Sequence, residues 1–170
     1  MNNKLELSQL QYLDALLKQI AYYSESKKDL KMVIMVADNL IAGDFMLYNS
    51  NKRPQIKDSQ YDGVTQYDIP KISDKAITSL LAPFREYNTG VGKTTCRKAV
   101  ENLDYFMEVI FKDETLINLI NDYPWSGLNN LQPYLYNPIF IDKPVSNNLL
   151  FYFLSQANPY EVISIISLDE

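Results

Sequence analysis

The 170-residue chain contains no histidine, one cysteine and five glycines. Without histidine there is no Ser-His or Cys-His catalytic pair, no imidazole metal ligand and no side chain that ordinarily titrates near neutrality. A lone thiol, Cys96, excludes an internal disulfide framework and a multi-thiolate zinc site. Basic residues are also in deficit, 16 Lys and Arg against 21 Asp and Glu, for a net charge of −5 and a pI near 4.8. That sign opposes nucleic acid and anionic membranes as the main partner and suits basic proteins. Long hydrophobic runs are missing too. Nothing approaches the roughly 18 apolar residues of a membrane span, and the N-terminus lacks a secretory leader, so the expected location is cytoplasmic.

What is present is the composition of a folded domain: 46% hydrophobic and 12% aromatic residues. No repeat and no Gly/Ser-rich linker divides the chain, so residues 1–170 read as a single domain. The acid is concentrated late: residues 86–170 hold 5 basic and 11 acidic side chains, whereas 1–85 are balanced at 11 and 10.

Periodicity points to an all-α or mostly α fold of about six helices. Leu10, Leu13, Leu17 and Ile20 mark one over about 4–24. A capping pair, Ser26 and Asp29, opens a second through Leu30, Val33, Ile34, Ala37, Leu40 and Ile41, ending near Gly43. The run Met32–Val36 is apolar on every side and also fits a buried strand, but the longer period favours a central helix. Ser73-Asp74 cap a third, with Pro83 kinking or ending it. A strong helix is expected over about 94–112 and a shorter one over about 113–121. Ser146 is a cap for a last helix to Gln156. The β-branched tail 160–168 fits either a helix or an edge strand. Prolines and turn residues make 49–72 and 123–145 two long ordered loops, with room for a minor β element at 55–70 or at the C-terminus.

Two strings resemble motifs without completing them. Gly90-Val91-Gly92-Lys93-Thr94-Thr95 is similar to the end of a phosphate-binding loop, yet Tyr87 stands where the first glycine belongs, and the preceding residues read as a helix, not a strand. A Gly-hinged turn leading into the next helix accounts for the same residues. Gly90, Gly92, Lys93 and Thr94 are nevertheless the alternative site, for a nucleotide or anion at a helix N-terminus. Asp58, Asp62 and Gly63 echo a calcium loop, but its closing position is Ile69, so no metal site is expected. No cofactor is implied.

The pattern with most chemical content lies at 100–110. Val100, Leu103, Met107 and Ile110 form an apolar stripe, while Glu101, Asp104 and Glu108 line another side. Aligned carboxylates repel by a few tenths of a kcal/mol per pair, a cost that a basic partner removes. Asp113, Glu114 and Asp122 extend the acid. Tyr123, Trp125, Tyr134 and Tyr136 follow in proline-restrained text, stiff aromatics of the kind that anchor interfaces. Solvated helices and core-closing aromatics produce the same patterns. The leading functional expectation is a non-enzymatic acidic binding protein that neutralises a basic protein partner, as bacterial immunity proteins neutralise toxic nucleases, with these ten residues as its surface.

Overall fold

A computed structural model of the chain describes residues 3–26, 28–49, 55–57, 60–62, 64–65, 72–85, 92–112, 116, 118, 131–142, 149–155 and 159–169. Its centre is a sheet, not a helix bundle. In chain order the elements are β1 (Lys4–Leu5), α1 (Leu7–Ser24), β2 (Lys28–Val36), β3 (Asn39–Asn49), β4 (Gln55–Lys57), β5 (Gln60–Asp62) and β6 (Val64–Thr65). Then come α2 (Asp74–Leu80), a 3-10 turn (Ala82–Phe84), α3 (Lys93–Glu101), α4 (Leu103–Phe111), β7 (Leu131–Phe140), β8 (Phe151–Phe153) and β9 (Tyr160–Asp169). The main sheet runs β1-β9-β2-β3-β7-β8, all antiparallel, with β6 paired to β3; β4 and β5 form a separate hairpin. The expectation of a mostly helical fold is therefore corrected to a mixed one.

The correction turns on 28–49. Leu30, Met32 and Ile34 are fully buried and alternate into the core, the period of a strand. Ala37 and Asp38 both adopt positive φ, 46° and 67°, the backbone of a type I′ hairpin turn, where the expected helix would have continued. Gly43, expected as a helix stop, lies inside β3. A Cβ there would stand 3.0 Å from Leu135 Cβ and 3.2 Å from the Tyr136 carbonyl oxygen, because β7 bulges toward it around Asn137 (φ 50°) and Pro138. That bulge is how β7 accommodates Pro138, while Pro133 keeps its register opposite Leu47. The helix expected to reach Gln156 is instead the short strand β8, and the tail is strand β9. The helix expected over 94–112 breaks at Asn102, whose side chain caps α4 by accepting from the Tyr105 amide.

Other expectations stand as local physics dictates. α1 covers 7–24, and Ser73 caps α2 by accepting from the Ala76 amide at 3.1 Å. The four helices named above bury Leu10, Leu13, Leu17, Ile77, Ala99, Val100, Phe106 and Ile110 in one cluster with Leu30, Ile34, Ile41, Leu135, Val162 and Ile165 of the sheet. Each large aliphatic side chain so buried stabilises the fold by about 1.5–3 kcal/mol. No helix among the described residues is long and apolar enough to cross a membrane.

β2 and β3 do not stay together. They pair only over Val33–Val36 and Asn39–Ala42, while β2 continues along β9 down to Lys28 and β3 along β7 up to Asn49. The sheet is split between the first half of β2 and the second half of β3, and α1 reaches the split.

Candidate functional site

Two places concentrate polar chemistry: the outer surface of α3 and α4, and the split in the sheet.

On the first, Glu101 is exposed at the last residue of α3, and Asp104 and Glu108 are exposed on α4, four residues apart on one side of the helix. Asp104 also sits in the first turn, where the positive end of the helix dipole favours it. Between them stands Tyr105, 42% exposed, its ring edge-on to Phe84 with centroids 5.2 Å apart. Tyr105, Glu108, Val109 and Lys112 recur at i, i+3, i+4 and i+7 and form one wall of a cleft of about 290 Å³; Ser79, Leu80 and Pro83 form the other. The arrangement is a carboxylate row beside an accessible phenol ring and a shallow groove.

Of the remaining acidic-aromatic set, Asp113, Glu114, Asp122, Tyr123 and Trp125 lie outside the described residues. Tyr134 is fully buried in β7, against Phe151 at 5.2 Å, and so offers no surface to a partner. Tyr136 is half-buried on the same side of the sheet, 6.5 Å from Phe151. In the alternative site, Gly90 lies outside the described residues, and Gly92 is the N-cap of α3. Thr94 is exposed, and Lys93 Nζ is 2.9 Å from the Glu25 carboxylate. The lysine is thus held beside a negative charge, which an incoming phosphate would have to displace. Cys96 is fully buried, and burial pushes its thiol up to about 11, so it is an inert core residue.

The second place has no motif. From α1, Lys18 Nζ lies 3.0 Å from Asp29 of β2, 2.6 Å from Asp44 of β3 and 2.9 Å from the Leu30 carbonyl oxygen. Lys31 of β2, 6% exposed, reaches the same two carboxylates at 3.0 and 2.8 Å. Asp14, one turn before Lys18, accepts a hydrogen bond from the Phe45 backbone amide. Two α1 side chains therefore satisfy the Leu30 carbonyl and the Phe45 amide along the diverging edges of β2 and β3, backbone groups that strand pairing would otherwise serve. Burial acts to lower Lys18, but the carboxylates of Asp14 and Asp44 outweigh it and hold its ammonium above the ordinary value. Burial acts to raise Asp29, and hydrogen bonds from both lysines outweigh it. Asp14 behaves differently: burial lifts it from 3.8 to about 7, opposed by Lys18 and reinforced by Asp44.

The ions come from three elements, α1, β2 and β3. The one local signal is a charged pair, Asp14 and Lys18 at i, i+4, set into the apolar stripe of α1.

Neither place carries a known signature. Comparison with family models, curated proteins and solved structures finds no match. Among the described residues no group of His, Cys, Asp and Glu could hold a metal ion.

Proposed function

We propose that this chain is a non-enzymatic acidic binding protein that neutralises a basic protein partner through the α3–α4 face. The observation that supports this reading is the exposure of Asp104, Tyr105 and Glu108 side by side on α4, next to an open cleft. A carboxylate adjoining an accessible aromatic face suits an arginine, which pairs with the first and stacks on the second; the stacking contributes about 0.5–1 kcal/mol when exposed and about 2 when desolvated. Charge speeds the encounter, and the ring and cleft slow dissociation. In its most specific form the partner is a nuclease toxin, whose phosphate-binding cleft is basic, and the chain acts as an immunity protein covering that cleft.

The test is recovery of partners from the source cell at low and then high salt, followed by an activity assay of the recovered protein with and without the chain. A basic partner, inhibited in the complex and released by salt, is expected. Reversing Glu101, Asp104 and Glu108 to lysine should slow association at least tenfold and flatten its salt dependence (about 1.4 kcal/mol per decade). Unchanged association and salt dependence would refute this surface.

A further inference from the structure

The charge count in the split sheet is unequal. Three carboxylates, Asp14, Asp29 and Asp44, face two ammonium groups, Lys18 and Lys31. An ammonium has three N–H donors, and those of Lys18 are taken by Asp29, Asp44 and the Leu30 carbonyl. Lys31 is committed to Asp29 and Asp44. Asp14 is left over. One of its oxygens accepts from the Phe45 amide; the other, Oδ1, is sealed from solvent with no hydrogen-bond partner. Asp14 as a residue is half-buried, but with Oδ1 sealed an ionised carboxylate there is incompletely paired, whereas a carboxylic acid is neutral and brings the cluster to electroneutrality.

We propose that Asp14 is a proton-operated latch: protonated, it holds α1 closed over the split between β2 and β3; ionised, it loosens that contact. The charged and titratable groups facing it are Lys18 on α1, Lys31 on β2 and Asp44 on β3, with Asp29 of β2 bound to both lysines and the Phe45 amide donating to Asp14. The direction follows from linkage. With the group at about 7 when closed and at its ordinary 3.8 when open, the closed form holds a proton that the open form releases. Closure is therefore strongest below the ordinary value and weakens as pH rises through the interval up to about 7.

The test uses the intact chain. The exchange protection of the Phe45 amide, corrected for intrinsic rate, should fall about tenfold between about pH 6 and about pH 8, with a smaller fall at Ile34 in the paired stretch of β2. A carboxyl ¹³C titration should place Asp14 well above an ordinary aspartate. Asp14→Asn, which keeps an acceptor for the Phe45 amide but cannot ionise, should abolish the pH dependence; a merely structural role would lower protection equally at both pH values. Should that variant fail to fold, Asp44→Asn removes the repelling carboxylate and frees a Lys18 donor, and should move the transition about one pH unit lower. An Asp14 carboxyl titrating near 4 as in a free peptide, a flat Phe45 profile, or equal changes at Phe45 and Ile34 would each overturn the latch.

Discussion

Replacing Lys31 with methionine isolates one charge from the split-sheet cluster. Methionine matches the length and most of the volume of the lysine stem, so little cavity forms and the lost ammonium dominates. In the parent, Lys31 bonds Asp29 at 3.0 Å and Asp44 at 2.8 Å, with its side chain 8% exposed. Its loss leaves Lys18 alone to serve three carboxylates. Breaking a buried pair by removing one partner costs about 3–5 kcal/mol. Asp29 and Asp44 keep 31% and 26% side-chain exposure, and water there reduces the penalty to about 2–3 kcal/mol. For a chain of this size that corresponds to a fall in Tm of roughly 4–12 °C. Thermal unfolding followed by circular dichroism at neutral pH measures it. The deficit should shrink in mild acid, where protons on the carboxylates replace the missing cation, and in Lys31→Met/Asp44→Asn, which removes one charge of each sign. A Tm for Lys31→Met within about 2 °C of the parent would refute the claim that this cluster is held by its ions.

Two further outcomes test the fold. Gly43→Ala should lower the urea midpoint, by about 1–3 kcal/mol in stability, because its new methyl meets Leu135 Cβ at 3.0 Å and backbone at 3.2 Å; a parent-like midpoint would mean that β7 yields freely there. Cys96, buried and with its thiol near 11, should resist a disulfide-exchange reagent at neutral pH until denaturant unfolds the chain, and rapid labelling of the native protein would contradict its packing.

How much of this could be read from the chain alone depended on how local each decision was. α1 and the Ser73 cap of α2 are decided within a few residues, and their spacing is legible. The stretch 30–41 is not. Leu30, Val33, Ile34, Ala37, Leu40 and Ile41 fit a helix face, while Leu30, Met32 and Ile34 fit a strand face equally well. What decides is β9, whose Asp169 pairs with Lys28 and whose Val162 pairs with Ile34, contacts far beyond any sequence window. The turn that reverses the chain gave no warning either, since Ala37-Asp38 lacks the usual Asn-Gly or Asp-Gly spelling. In β7, Pro133 and Pro138 argued against a strand; the bulge facing Gly43 takes up Pro138, and Pro133 pairs in register with Leu47. The acidic residues of α4 were visible as a spacing, but the opposite wall of their cleft comes from Ser79, Leu80 and Pro83, which no pattern in α4 can name. The ionic cluster was the least legible, because its balance of charge exists only once three elements meet.

The position of β9 also has a bearing on when this protein can fold. It lies between β1 and β2, so the last described strand is inserted among the first ones. During synthesis, β2 emerges early and its partner edge stays vacant until residue 169 has been made. For most of that time Leu30, Met32 and Ile34 belong to an unfinished sheet, open to pairing with another chain. The nascent protein is thus most vulnerable to aggregation before the ten-residue strand β9 arrives, and one short segment completes both neighbours at once.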